Sequence, residues 1–136
     1  MVTALFALAL AATAPSPAPS VFGVWKTPVD GGLVRIAPCG ARLCGAVVNS
    51  ARLRVEPDQK DVRNRDAALR GRAIRGLTIL EVTAQGPGKW GAGWIYNPDD
   101  GGTYKASIEM VSPDRLHLKG CVVAPLCRTQ TWTRAR

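Results

Sequence analysis

Apolar and polar residues alternate with a period of two along much of this chain. Tyr104, Ala106, Ile108 and Met110 fall on one side, and Lys105, Ser107 and Glu109 on the other. Leu116 and Leu118 likewise oppose His117 and Lys119. In an extended strand successive side chains point to opposite faces, so this pattern sets one face against a core and the other against water. Segments of strand character are predicted at 22–26, 33–37, 43–49, 77–82, 90–96, 103–110, 115–120 and 128–134. Turn formers separate them, among them Pro28-Val29-Asp30-Gly31-Gly32, Gln85-Gly86-Pro87-Gly88, Asn97-Pro98-Asp99-Asp100-Gly101-Gly102 and Ser112-Pro113-Asp114. Short strands at even spacing with Gly/Pro turns predict an all-β fold, a single small antiparallel up-and-down barrel of about eight strands.

Residues 50–76 break the rhythm. This polar connection carries Arg52, Arg54, Arg63, Arg65, Arg70, Arg72 and Arg75 with Lys60, and 66–70 is predicted to make a short helical turn begun by Asp66. So long a connection in a small domain is usually functional or disordered. In an up-and-down barrel alternate turns share a rim. The loops at 27–32, 50–76, 97–102 and 122–126 are therefore expected together at one end, and the 39–44 turn at the other.

The cysteines fit this scheme. Cys39, Cys44, Cys121 and Cys127 are the four in the chain, an even count that reads as two disulfides. Three pairings are possible, but bridged Cα atoms must lie within about 7 Å of each other. With the two pairs on opposite rims, Cys39–Cys44 and Cys121–Cys127 are expected. A zinc site suits them less, because the second spacing is too long and the one histidine, His117, falls on a solvent face. No metal or cofactor site is expected.

The first twenty residues differ in kind. An unbroken apolar run, Ala4 to Ala12, leads into Thr13-Ala14-Pro15-Ser16-Pro17-Ala18-Pro19-Ser20 without a preceding Lys or Arg. This has the form of a secretory signal peptide and is too short to span a membrane. Residues 1–20 are expected to be a leader and 21–136 the barrel domain of an exported protein, periplasmic or secreted. The net charge of +8, with thirteen arginines, draws such a domain toward polyanions. Anionic envelope polymers and membrane surfaces suit an exported protein; nucleic acid suits the charge but not the address.

Several spaced motifs carry a resemblance. Gly23-x-Trp25-x-Thr27 is followed by Cys39-Gly40 and Cys44-Gly45, then by Tyr96-Asn97-Pro98-x-x-Gly101-x-x-Tyr104. Gly120-Cys121 and Cys127-Arg128-x-Gln130-Thr131-Trp132-x-Arg134 close the pattern. Together they resemble the small exported bacterial proteins of domain of unknown function 2147, with Arg65 and Ala73 standing where that pattern has prolines. Gly23-x-Trp25 with a terminal Arg134 is also similar to lipocalin and fatty-acid-binding barrels. That likeness implies that Trp25 closes one barrel end with Arg134 packed across its ring.

Catalytic chemistry finds little support. A nucleophile needs a nearby base, and a lone outward His with paired cysteines provides none. Asp99 and Asp100 are explained by turn geometry. Asp58, Asp61, Asn64 and Asp66 lack the spacing of a calcium loop and suit pairing with neighbouring arginines. A non-enzymatic binding domain is expected. In one reading the barrel holds a small apolar or amphipathic, lipid-like ligand. Trp90, Ala92, Trp94 and Tyr96, on one strand face, would line the pocket with Tyr104, while Arg63, Arg65, Arg70 and Arg72 attract an anionic headgroup. In the other, the arginine-rich connection grips anionic envelope polymers or headgroups.

Overall fold

The structure, a computed structural model, describes residues 9–11, 20–123 and 125–136. The expected leader at 1–20 lies mostly outside the described residues. Eight strands follow one another: β1 Gly23–Lys26, β2 Leu33–Cys39, β3 Arg42–Asn49, β4 Thr78–Gly86, β5 Lys89–Asn97, β6 Gly102–Ser112, β7 Arg115–Val123 and β8 Leu126–Arg134. Each pairs with its neighbours in sequence, and β8 returns to β1 to close the barrel. Every predicted strand is present. The closing seam is short, for β8 meets β1 only at Trp25↔Arg134 and Lys26↔Thr133.

The alternation read in the sequence sets the wall. Ala106, Ile108 and Met110 on β6 stand opposite Gly120, Leu118 and Leu116 on β7, all turned inward. Lys105, Glu109, His117 and Lys119 are exposed on the outer face. A barrel that spanned a membrane would show lipid an apolar outer band; the outer face of β6 and β7 presents these charged side chains instead. A bulge adds Ile79 to β4 between the pairs Gly45↔Leu80 and Ala46↔Thr78. Adjacent Ile79 and Leu80 are therefore both buried.

One barrel end is sealed. Trp25 is fully buried, and its Nε1 donates to the Val21 carbonyl at 2.8 Å. The Arg134 guanidinium lies 4.4 Å from the Trp25 ring centroid and donates to the carbonyls of Ser20, Phe22 and Pro113 at 2.6, 3.0 and 3.0 Å. A Cβ on Gly23 would come within 3.1 Å of that guanidinium, at a φ of +130°, which accounts for the glycine two residues before the tryptophan. The Cys39–Cys44 disulfide staples a hairpin at this end and Cys121–Cys127 one at the other.

The connection between β3 and β4 is folded. Ser50 caps a short helix, α1 (Ala51–Val55), accepting from the Leu53 amide at 3.1 Å, and Leu53 is buried. The expected turn after Asp66 is a 3-10 helix, Ala67–Leu69, whose Ala68 amide donates to Asp66 at 3.0 Å.

Candidate functional site

The half of the barrel away from Trp25 is hollow. A cavity of about 720 Å³ opens at the rim formed by the 27–32, 50–76, 97–102 and 122–126 loops. Its inner walls are apolar: Val34, Val47, Ile79, Ile95, Leu118 and Trp132. Toward the mouth the lining becomes polar, with Asn49, Tyr104, Arg128 and Gln130, then Arg52, Lys60 and Arg63 on the connection. That volume lies within the range of small-molecule sites, about 300–1,000 Å³.

Strand parity positions the polar groups. Trp132, Gln130 and Arg128 recur every second residue on β8, opposite Leu116, Leu118 and Gly120. Trp132 Nε1 donates to Gln130 Oε1 at 3.1 Å. Arg128 has no carboxylate in ion-pair reach among the described residues. Tyr104 donates its hydroxyl to Asp100 Oδ2 at 2.5 Å, while Asp100 Oδ1 accepts from the Gly102 amide at 2.7 Å. That hydrogen bond, with some desolvation, raises the Tyr104 phenol above its ordinary pKa, so it stays a neutral donor.

The expected face of Trp90, Ala92, Trp94 and Tyr96 is split. Trp90 pairs with Ile108, yet Gly93 pairs with Ala106, leaving one extra residue in β5. Ala92 takes a φ of +50° there, and the parity reverses beyond it. Trp90 packs against the core. Ile95 turns inward opposite Tyr104, whereas Trp94 and Tyr96, opposite Lys105 and Thr103, take the other parity, with Tyr96 bordering both the cavity and the outer wall. There the connection covers them, leaving a shallow hollow bordered by Arg65, Leu69, Arg72, Thr78 and Trp94.

A buried carboxylate ties the connection to that wall. Asp61 is 1% exposed. Its Oδ1 accepts from the Tyr96 hydroxyl at 2.5 Å, and its Oδ2 from Asn64 Nδ2 and Arg72 Nε, both at 2.9 Å. Arg72 also lies over the Tyr96 ring at 5.4 Å. Burial alone would raise the Asp61 pKa, but the three hydrogen bonds together outweigh it and hold the carboxyl below its ordinary value. Burial, and then the bond to Asp61, push the Tyr96 phenol up to about 12. Nearby, Gly101 sits at a φ of +71° where a Cβ would collide with the Arg63 carbonyl, so the 97–102 turn can dock on the connection.

The arginines proposed from sequence thus occupy different places. Arg63 stands at the mouth, donating to the Asp99 carbonyl at 2.7 Å. Arg65 borders the outer hollow, Arg70 donates to the Asn64 carbonyl at 2.8 Å, and Arg72 belongs to the Asp61 cluster. Arg128, Gln130 and Trp132 were not among the predicted lining residues, although the last strand's alternation with Thr129, Thr131 and Thr133 carried the signal.

These features define a lipocalin-like barrel, closed by a tryptophan and an arginine at one end and hollow at the other. The chain belongs to the family described as "uncharacterized protein conserved in bacteria (DUF2147)", whose pattern it matches over residues 23–134. Its fold is similar to that of protein HP1028 from Helicobacter pylori, described as belonging to the lipocalin family. The two share 20% identity with a TM-score of 0.77, over 88% of this chain and 85% of the other. No curated protein matches the sequence. Two disulfides fit an exported or otherwise oxidising setting.

Proposed function

We propose that this protein binds a small amphipathic molecule, apolar body inward and anionic end at the mouth, without transforming it. One observation carries the reading: a cavity of about 720 Å³ has apolar inner walls and an inward Arg128 that no protein carboxylate neutralises. A guanidinium without a carboxylate partner among the described residues, beside an apolar chamber, suits a carboxylate or phosphate headgroup on an acyl or aromatic body. The protein would work outside the cytoplasm, in the periplasm or secreted. The alternative, an arginine array gripping anionic polymers, draws less support, because Arg52, Arg63, Arg70, Arg72 and Arg75 all donate to acceptors within the protein.

Native mass spectrometry of protein purified from its host should show a bound small molecule. Displacement of the fluorescent probe anilinonaphthalene sulfonate by long-chain fatty acids should then be weakened about tenfold or more in Arg128→Gln, as expected for a lost hydrogen bond to a charged group. Absence of both a co-purified ligand and probe binding would sink the reading.

A further inference from the structure

Exposed apolar side chains gather at the mouth. The hairpin joining β7 and β8 shows Val122, Val123 and Leu126 at 62, 65 and 70% exposure, and Val29 and Val62 stand on neighbouring parts of the rim. The hairpin tip runs past its neighbours. The β6 pairing of β7 ends at Lys105↔Cys121, yet β7 and β8 continue to Val123↔Leu126. On its other side β8 has no β1 partner before Thr133. Among the described residues the tip therefore pairs only with itself, and the Cys121–Cys127 disulfide braces its base.

An apolar tip exposed in this way is unfavourable in water unless something covers it. Its charges indicate what does. Lys105 and Lys119 are exposed on the adjoining outer face, Arg128 lies just inside, and no Asp or Glu occurs from Arg115 to Arg136. The acidic groups of the 27–32 and 97–102 loops are engaged, Asp99 with Arg52, Asp100 with Tyr104, and Asp30 with the Arg52 amide, and the exposed Glu56 and Asp58 belong to the connection. Valine, leucine and proline at the tip, with Lys105 beside Cys121 and Lys119 three residues before Val122, match a bilayer interface. Apolar side chains enter the acyl boundary while cations meet anionic headgroups.

We propose that the β7–β8 tip is a docking finger that seats the barrel mouth on an anionic bilayer. Val122 and Leu126 also line the cavity, so a docked finger would hold the chamber open toward the lipid. The inference goes beyond ligand binding and can fail separately from it, because Val123 alternates with Val122 and does not border the cavity.

The test uses the oxidised full chain in co-sedimentation with vesicles of phosphatidylcholine alone or mixed with phosphatidylglycerol. The protein should sediment with the mixed vesicles and be released in molar salt. Val123→Asp should weaken that binding about tenfold or more, since a charge replaces an inserted apolar side chain. Lys105→Glu with Lys119→Glu should weaken it too. Val111→Asp, an exposed site on β6 toward the sealed end, should leave it unchanged, and Val123→Asp should still bind the fluorescent probe. Binding equal in Val123→Asp and the unsubstituted protein, or no binding to mixed vesicles, would overturn the proposal. So would lipid-free self-association that Val123→Asp abolishes, which would give the tip to a second copy.

Discussion

The two ends of the barrel are built from the same strands but to opposite purposes. At the sealed end the turns at 40–41, 87–88 and 113–114 are two residues long, and Trp25, Ile36, Val82 and Leu116 are almost wholly buried. At the mouth three of the loops are longer, polar groups face inward, and valines and a leucine stand in water. The sealed end satisfies its polar groups within the protein, as Arg134 does with three carbonyls. The mouth leaves Arg128 without a carboxylate partner among the described residues. One end holds the fold together, and the other leaves groups available to a ligand or a surface.

If that division is right, stability should be lost mainly from the sealed end. Trp25→Ala removes a large side chain with no exposed area and should cost about 3–5 kcal/mol, a large share of the roughly 5–15 kcal/mol typical of a domain. Val29→Ser at the mouth, where half the side chain is already exposed, should stay within about 0.5 kcal/mol. Urea denaturation midpoints of the two variants compare the ends directly. A mouth substitution as damaging as Trp25→Ala would break the comparison.

The connection is the sharper case, since it belongs to the mouth yet hangs on a buried clamp. Asp61→Ala leaves the Tyr96 hydroxyl and one side of Arg72 without a partner. Breaking a buried pair costs about 3–5 kcal/mol; with Arg72 about a third exposed, about 2 kcal/mol is expected here. Amide hydrogen exchange should rise across residues 58–75 while the strands stay protected. The clamp also sets a pH window. Asp61 titrates lower folded than unfolded, so its contribution is complete above an unfolded carboxyl value of about 3.9 and fades as pH falls through the folded value. Tyr96 titrates higher folded, near 12, so its contribution holds below about 10 and fades as pH rises through the folded value. Exchange in 58–75 should therefore be least perturbed between about pH 4 and 10, once the intrinsic rate is divided out. An unchanged acid limb in Asp61→Ala would show that another group governs it.

How far these features could be read in advance depends on the range of the forces behind them. The alternation of Leu116 and Leu118 with His117 and Lys119 is local, so the face of β7 was legible, and strand parity then placed both disulfides and the loops of the mouth. β5 was not legible in the same way. Its faces exchange at Ala92, whose positive φ no residue preference of alanine announces. The Asp61 cluster depends on Tyr96, 35 residues away, and only the closed barrel brings them together. Arginines that looked like one basic patch were divided by that packing, with Arg72 inside a clamp and Arg63 at the mouth. Arg128 was legible but easily passed over, because it shares the inward parity of Trp132 while reading like one more surface charge.

A small expected change in stability is also the cleanest test of the hollow half. Gly120 faces the cavity, and a Cβ there would meet Ile95 Cγ2 at 3.7 Å and Tyr104 Cβ at 3.8 Å, which are ordinary contacts. Gly120→Leu should therefore fill empty space, with a change in stability within about 1 kcal/mol. Gly45 faces inward where the barrel is already packed, and its Cβ would lie 3.0 Å from Val34 Cγ1 and 3.1 Å from Leu80 Cβ. Gly45→Leu should cost about 1–3 kcal/mol or more through overpacking. The two glycines thus predict opposite pairs of results: Gly120→Leu keeps its denaturation midpoint and loses the fluorescent probe, while Gly45→Leu loses stability first. If Gly120→Leu still bound the probe with full affinity, the ligand would lie outside the chamber, and the contrast between a packed end and a receptive one would have to be redrawn at the rim.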